Sequence, residues 1–221
     1  SPLCANIILN ELDHELEKRG HRFVRYADDM VIFCKSKASA KQALEHIIPY
    51  IEGKLFLKVN REKTEVSYAG KIKFLGYGFY KNRKGFQPRV HQKSKEKLKG
   101  KVKELTGRRY VPSYEGWKRK LKRFVTGWVN YYKLADMGNL LKSIDEWMRR
   151  RIRMVFWKRW KRVRTRYRNL EKLGASHSNA GILANSRKGC WRIASSPILQ
   201  AALSNARLEK AGFQYFYSYY N

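Results

Sequence analysis

Apolar residues near the start of the chain recur with the spacing of one helix face. The apolar positions are Leu3, Ile7, Ile8, Leu12 and Leu16. Gly20 follows at a position where helices commonly end. Ser1-Pro2 is typical of a helix entrance, with a capping serine before a proline at the first helical position. We therefore expect an amphipathic helix over residues 1–20, in a chain that begins inside a larger protein.

Two runs of β-branched and aromatic residues come next. They extend from Arg22 to Tyr26 and from Met30 to Cys34, with Ala27-Asp28-Asp29 between them. This pattern predicts a β-hairpin. Tight hairpin turns usually contain Asn-Gly or Asp-Gly, so two adjacent aspartates are unusual there.

The rest of the first eighty residues predicts a second helix and further strands. The helix is expected from about Ser39 to Ile51, with Gly53 ending it. Strands are expected over three short segments, Leu55–Asn60, Lys63–Tyr68 and Lys71–Tyr80. A helix, a hairpin, a helix and strands in this order indicate an α+β layer with an antiparallel sheet.

The remainder of the chain carries helical periodicity. A lysine-rich helix is expected from His91 to Leu105, with few apolar positions. One long apolar stripe follows at Trp117, Leu121, Phe124, Val125, Trp128, Val129 and Tyr132, and a second at Leu140, Leu141, Ile144, Trp147, Met148, Ile152, Val155 and Phe156. We expect a three-helix unit joined by turns at 107–113 and 136–139, with the aromatic stripe as its core.

Positive charge separates these two parts. The chain has 49 Lys+Arg and 18 Asp+Glu, a net charge of +31. Residues 1–80 hold 13 basic and 10 acidic residues, net +3, and residues 81–221 hold 36 and 8, net +28. We predict a domain boundary between residues 80 and 81. A surplus of this size is tolerable mainly when a polyanion neutralises it, so nucleic acid is the expected partner.

Several classes of protein are not indicated. No run of about 18 apolar residues suggests a membrane span, and no secretory signal opens the chain. The three cysteines are far apart and lack C-x-x-C spacing, so neither a disulfide framework nor a zinc site is expected. An intracellular, reducing setting fits best.

Asp28 and Asp29 are the residues with the clearest chemical potential. Adjacent carboxylates repel by roughly 1–4 kcal/mol in a surface-like dielectric, and a divalent cation would reverse that sign. Mg²⁺ prefers oxygen ligands and often uses one or two carboxylates together with substrate phosphates. The alternative is a polar turn between two buried strands, and the pair alone does not decide between them.

Four blocks in one order resemble the group II intron reverse transcriptases, also called intron maturases. The blocks are Ser1–Asp13, Phe23–Asp29 with its Tyr-Ala-Asp-Asp string, Leu57–Thr64 and Phe74–Tyr77. The resemblance implies the C-terminal part of a reverse-transcriptase palm over residues 1–80. It makes Asp28 and Asp29 catalytic carboxylates that bind Mg²⁺, or alternatively Mn²⁺. The family's third aspartate, its fingers and its glycine-rich template block would lie upstream of residue 1.

The same resemblance gives roles to five further residues near nucleotide and primer. They are Tyr26, Lys63, Phe74, Leu75 and Gly76. Without it, Lys63 would be interpreted as a solvated lysine in a turn, and Phe74 and Leu75 as core. Gly76 and Gly78 within an aromatic strand are consistent with close approach of another backbone.

Residues 81–221 resemble the family's α-helical thumb, known as domain X or the maturase-specific domain. Arg149–Arg168 contains 11 Lys/Arg and no acid. A charge run is usually a solvated face, but one without acids is costly unless phosphates accompany it. The expected RNA contacts are Lys97, Lys101, Arg108, Arg109, Lys118, Lys122, Arg149, Arg150, Arg153, Lys158, Arg159, Arg162, Arg187 and Lys188. Arg187 and Lys188 could equally be surface charges around a loop.

The tail adds one more point of resemblance. Asn185–Ala194 with Ser196-Pro197-Ile198-Leu199 is similar to the end of members that lack the zinc-binding endonuclease. The implied partners are group II intron RNA, an RNA template with a DNA primer, and an N-terminal fingers and palm segment. The implied location is the bacterial cytoplasm, with the nucleoid or ribonucleoprotein particles.

Two functions follow as hypotheses. One is part of an RNA-directed DNA polymerase that also helps its intron RNA to fold and splice. The other is a non-catalytic RNA-binding splicing cofactor in which the hairpin is only a scaffold. A generic basic DNA-binding protein is disfavoured by the four ordered blocks.

Overall fold

The computed structural model describes residues 2–107 and 113–221, and the chain forms two compact units. The first comprises residues 1–87 and the second residues 88–221. In chain order the first unit contains helix α1 (Pro2–Lys18), strands β1 (Arg22–Tyr26) and β2 (Asp29–Phe33), helix α2 (Lys37–Gly53), a 3₁₀ turn at Ala69–Lys71 and strand β3 (Tyr77–Asn82). Strand β4 (Gly85–Val90) pairs with β3 and extends past residue 87. This arrangement confirms an α+β fold with two small antiparallel sheets.

The core of the first unit lies between α1 and α2. Leu12 and Leu16 of α1 and Ala43 and Ile47 of α2 are buried, with Phe23 and Ile32 of the hairpin among the half-buried residues packed on them. The predicted apolar face of α1 is buried only in its second half, because Leu3 and Ile7 are 70% and 64% exposed.

Local geometry defines the C-terminal end of α1 and both ends of α2. Gly20 has a positive φ of 72° and follows α1, as expected of a helix terminator. Ser36 caps α2 by accepting from the Ser39 amide, so the helix begins earlier than the predicted Ser39. Gly53 ends α2 as its last residue and Lys54 is the C-cap, so the helix extends two residues past the predicted Ile51.

The strands predicted at 55–60 and 63–68 are absent from the structure. The alternating residues of these segments do not belong to any paired strand, and turns such as the one closed by the Lys63 amide on the Asn60 carbonyl interrupt them. The third predicted strand begins at Tyr77 rather than Lys71. A strand requires a hydrogen-bonded neighbour, which alternation of residue types does not guarantee.

The second unit is helical apart from the end of β4. Its helices are α3 (Gln92–Leu105), α4 (Tyr114–Tyr131), α5 (Gly138–Arg159), α6 (Val163–Lys172), α7 (His177–Ala184), α8 (Cys190–Ile193), α9 (Pro197–Ala202), α10 (Asn205–Lys210) and α11 (Phe216–Tyr220). Residues 108–112 of the predicted α3–α4 turn lie outside the described residues. No described helix is long and apolar enough to cross a membrane.

Helices α3, α4 and α5 pack together as predicted. Trp117 of α4 is 1% exposed and donates from its indole nitrogen to the Leu105 carbonyl of α3 at 2.8 Å. Its ring lies 6.2 Å from Phe156 of α5, measured between centroids. The Trp117 side chain therefore contacts all three helices of the predicted unit.

The C-terminal helix α11 completes this core. The buried Phe216 ring meets Phe124 and Trp128 edge-on, at centroid distances of 6.0 and 5.8 Å. Phe124, Trp128 and Trp147 are half-buried rather than fully buried, which corrects the expectation that both tryptophans are full members of the core.

Candidate active-site hairpin and basic surface

The turn between β1 and β2 is tighter than predicted. Tyr26 pairs with Asp29 across the hairpin, so the turn contains only Ala27 and Asp28, and Asp29 is the first residue of β2. Ala27 has a φ of 53°, in the left-handed region that glycine usually occupies. The two aspartates are thus adjacent but differently placed, one in the turn and one on the strand.

Arg25 ties this turn to helix α1. Its Nη2 and Nε donate to the Asp13 carboxylate at 2.5–3.0 Å, and its Nη1 donates to the side-chain oxygen of Asn6 and to the Ala27 carbonyl at 3.0 and 3.1 Å. The hydrogen bonds to Asp13 raise the pKa of Arg25. The side chains of Arg25 and Asp13 are only 14% and 20% exposed, so this ion pair is largely withdrawn from water.

Asp28, Asp29 and Tyr26 face solvent. Tyr26 is 64% exposed, and both carboxylates are exposed as well. Neither aspartate takes part in an ion pair among the described residues. Two accessible carboxylates without a cationic partner suit a hard cation that also binds substrate oxygens. No described group of three or more His, Cys, Asp or Glu could hold a metal ion, so the pair offers part of a coordination shell.

The other predicted site residues of the first unit lie in two separate segments. Lys63 is exposed in the loop after Asn60. Phe74 and Tyr77 exchange backbone hydrogen bonds at 3.0 and 2.8 Å, which closes a tight turn over Leu75 and Gly76. Both central residues have positive φ, 50° and 81°. The predicted strand at 74–76 is therefore a turn, and positive φ accounts for the glycine at 76.

Arginines of α5 make many contacts within the protein. Arg153 is 6% exposed and donates to the Leu203 carbonyl and to Asn205, at 2.9 and 2.7 Å. Arg150 donates to the Trp191 carbonyl at 3.0 Å and lies over its ring at 3.9 Å. Arg151 donates to the Lys103 carbonyl at 3.0 Å. Backbone carbonyls and aromatic rings therefore stabilise the positive charge of these α5 arginines, which have no acidic neighbour in the Arg149–Arg168 segment.

The predicted RNA contacts separate by exposure. Lys97, Lys101, Lys122, Arg159, Arg162, Arg187 and Lys188 are exposed; Lys118, Arg149, Arg150 and Lys158 are half-buried; Arg153 is buried. Lys101 pairs with Glu104 at 2.8 Å, and Lys118 bonds Glu115 and the Ala211 carbonyl at 2.5 and 2.9 Å. Arg108 and Arg109 lie outside the described residues. Arg153 has a structural role in this geometry, whereas the exposed residues are accessible to a polyanion.

Two acidic residues that position other groups were not singled out from the sequence. Asp13 holds Arg25, and Asp145 accepts from the Phe216 and Tyr217 amides at 2.9 and 2.8 Å, which caps α11. Burial raises the pKa of Asp145 to about 6, although both amides and Arg149 oppose the shift. A usable signal was present for Asp13, because it lies four positions after Leu9 and three before Leu16 and so shares a helix face with these apolar residues.

Two protein-family models match the chain. The reverse transcriptase (RNA-dependent DNA polymerase) model matches residues 1–79, and the group II intron maturase-specific domain model matches residues 95–174. A reverse-transcriptase segment followed by a maturase-specific domain defines one class of protein. The chain belongs to the group II intron reverse transcriptases/maturases. No curated protein matches it.

The two domains also define the activity and the ligands of this family. The family has RNA-directed DNA polymerase activity and generally uses divalent metals. Its two domains imply binding of intron RNA and of RNA templates.

Proposed function

We propose that residues 1–80 are the C-terminal part of a polymerase palm and residues 81–221 an RNA-binding thumb. In the full-length protein they copy RNA into DNA and promote splicing of the group II intron RNA. The observation that carries the polymerase part is the exposed, unpaired Asp28-Asp29 at a tight turn anchored to α1 by Arg25.

The residues of the hairpin have distinct tasks in this proposal. Asp28 and Asp29 would hold Mg²⁺, with Mn²⁺ as an alternative, and such ions would supply charge stabilisation at the attacking 3′-oxygen and the leaving pyrophosphate. Arg25 positions the turn through the Ala27 carbonyl. Tyr26 lies opposite Asp29 on the same face of the hairpin and contacts the incoming nucleotide.

The remaining proposed contacts lie in the loop and the turn that follow. Exposed Lys63 neutralises phosphate charge of the nucleotide. The Phe74–Tyr77 turn brings backbone close to the primer end, which its left-handed residues Leu75 and Gly76 permit.

The basic surface of the second unit binds intron RNA and the template–primer duplex. Its proposed contacts are the exposed residues of the predicted set, with Arg108, Arg109 and the half-buried Lys118, Arg149, Arg150 and Lys158 retained as candidates. Arg153 is proposed to support this surface through its hydrogen bonds to the Leu203 carbonyl and to Asn205. We expect the protein to work in the bacterial cytoplasm, with the nucleoid or within ribonucleoprotein particles.

Primer extension tests the polymerase part. In the full-length protein with Mg²⁺, Asp28→Ala is expected to abolish extension of a DNA primer on an RNA template, because it removes half of the carboxylate pair. The matched control is Glu45→Ala, which removes an exposed acid from α2. A D28A protein that still extends primers at the wild-type rate would exclude the proposed role.

A second candidate function is a splicing cofactor without polymerase activity. The observation that supports it is the set of exposed lysines and arginines on the second unit, which could bind RNA whether or not the hairpin binds metal. Under this alternative the wild-type protein promotes intron splicing but does not extend primers, and D28A splices as well as the wild type.

A further inference from the structure

A small pocket in the second unit is built around three arginines of helix α5. Its volume is about 200 Å³. The residues that matter for its chemistry are Glu146, Arg149, Arg150, Arg153, Gln200 and Asn205. Three guanidinium groups and one carboxylate around a small open cavity form an anion-binding environment.

Two of the arginines are held rigidly. Arg153 is fixed by the Leu203 carbonyl and Asn205, and Arg150 by the carbonyl and ring of Trp191. A ligand that binds them therefore does not need to order two long side chains, which lowers the entropic cost of binding.

Arg149 is the arginine with unused hydrogen-bonding capacity. Its guanidinium lies over the Tyr215 ring at 4.5 Å, and its Nη2 is 3.5 Å from Glu209. Its Nε is buried and has no hydrogen-bond partner. A buried donor without an acceptor leaves this guanidinium incompletely stabilised, and an anion beside its terminal nitrogens would offset part of that cost by neutralising its charge.

Positively charged groups also lie close together at this pocket. Arg149 and Arg153 are four residues apart on α5 and so lie on the same side of the helix. Burial lowers the pKa of Arg153; nearby Tyr215 opposes this shift, and the charge of Arg149 adds to it. A bound anion would stabilise both guanidinium groups.

The size of the cavity limits the ligand. At about 30 Å³ per water molecule, 200 Å³ corresponds to roughly six or seven waters, enough for a phosphate group with part of a sugar but small for a whole nucleotide. The side-chain amides of Gln200 and Asn205 add groups that can hydrogen-bond a ribose hydroxyl.

We propose that this arginine pocket binds one phosphodiester of an RNA strand, with Arg149 as the residue that contacts the phosphate and Arg150 and Arg153 as its fixed neighbours. The proposal rests on the proposed RNA-binding function and names a single phosphate site within that surface.

The test is phosphate-ethylation interference with the full chain and a group II intron transcript. Ethylation neutralises one phosphate at a time, so a phosphate bound in the pocket becomes a position at which modification prevents binding by the wild type. In Arg149→Gln that position loses its sensitivity, because the pocket contact is already gone. Affinity for the transcript is expected to fall about tenfold, and the slope of log K against log salt to decrease by roughly 0.7–0.9.

The matched control is Lys210→Gln, which removes one exposed positive charge from α10. This variant should keep every ethylation-sensitive position. Arg149→Lys, which preserves the charge but not the guanidinium fork, should lose the same position as R149Q.

The outcomes separate this proposal from the one on which it rests. If the wild type binds the transcript no more tightly than duplex DNA of equal length, the proposed function fails. If the wild type prefers the transcript but R149Q keeps every sensitive position, the pocket proposal fails alone. The wild-type interference map tests the proposal even if a variant does not fold. A wild-type map without any isolated sensitive phosphate would overturn the proposed phosphate site.

Discussion

Among the described residues, the unit of residues 1–87 buries 5 apolar side chains, whereas the unit of residues 88–221 buries 32. In the first unit the ion pair between Arg25 and Asp13 connects the turn beside Asp28 to helix α1. In the second unit several arginines lie over aromatic rings, as Arg149 does over Tyr215 and Arg150 over Trp191. The candidate catalytic residues therefore lie on a unit with few buried apolar side chains, and the candidate RNA contacts on a unit with many.

The difference also affects how each site can respond to ligand. A site held by few buried contacts opens at low free energy, and a site on a large core stays fixed. The first unit is therefore expected to gain more order from metal and substrate than the second.

Removing the central indole should break the second unit. Trp117→Ala leaves a large cavity and an unpaired Leu105 carbonyl, so we expect a loss of about 3–5 kcal/mol in its free energy of unfolding. All six tryptophans lie between residues 117 and 191, so urea unfolding followed by tryptophan fluorescence reports on this unit.

Trp191→Ala is the matched control for the indole, since Trp191 is 36% exposed. Its cost should stay below about 1 kcal/mol. Hydrogen exchange of the β1 and β2 amides should be unchanged in both variants, and equal midpoints for W117A and wild type would contradict the assigned core.

The buried Asp145 gives the second unit a pH dependence. Its pKa is raised to about 6 from 3.8, so the folded protein binds this proton more tightly than the unfolded chain does. Stability from this group is complete below about pH 4 and is lost as pH rises through 6, with a total of at most about 3 kcal/mol.

The measurement is urea unfolding between pH 4 and 7 of the wild type and Asp145→Asn. The variant cannot titrate, so the difference between the two proteins should change over this window. Parallel pH profiles would show that Asp145 titrates normally in the folded protein.

Asp13→Asn should loosen the hairpin of the first unit. Loss of the largely buried ion pair with Arg25 is expected to cost about 1–2 kcal/mol, measured as faster hydrogen exchange of β1 and β2 amides. Glu15→Gln disrupts the ion pair between Glu15 of α1 and Arg19, the residue that follows this helix, and should cost less than about 0.5 kcal/mol. Equal increases in hydrogen exchange in the two variants would show that the Arg25–Asp13 ion pair stabilises the hairpin no more than the Arg19–Glu15 pair does.

The smallest effect concerns the turn itself. Ala27→Gly should stabilise the hairpin by about 0.5 kcal/mol, because glycine relieves the positive φ while adding freedom to the unfolded chain. Ala38→Gly in the first turn of α2 should have the opposite sign, at about 0.5–1 kcal/mol. Hydrogen exchange of the β1 and β2 amides reports on A27G, and exchange of the α2 amides reports on A38G. Destabilisation of the hairpin by A27G would contradict the left-handed conformation of Ala27.

The sequence predicted the long periodic elements well. Helices α1, α3, α4 and α5 are present where the apolar stripes indicated, and the hairpin joins the expected runs. The strands predicted within residues 55–68 were wrong, because alternating residue types do not by themselves supply a hydrogen-bonded neighbouring strand. The short helix α11 was not predicted, because five residues carry too little periodicity to be recognised.

The candidate site was only partly predictable. The adjacent aspartates were visible in the sequence, but the register that places Asp29 on the strand depends on hydrogen bonding across the hairpin. The roles of Arg25 and Asp145 depend on partners 12 and 71 or more residues away, and such contacts leave no local pattern.

Arg25 connects the Ala27 carbonyl directly to Asp13 and Asn6, so a single side chain joins the turn beside Asp28 to helix α1. Its Nε–H group therefore offers a spectroscopic reporter inside the site that is not itself an expected metal ligand. In a nitrogen-15 spectrum, addition of Mg²⁺ at the aspartates should shift this signal if the turn moves and leave it unchanged if the turn is already in place.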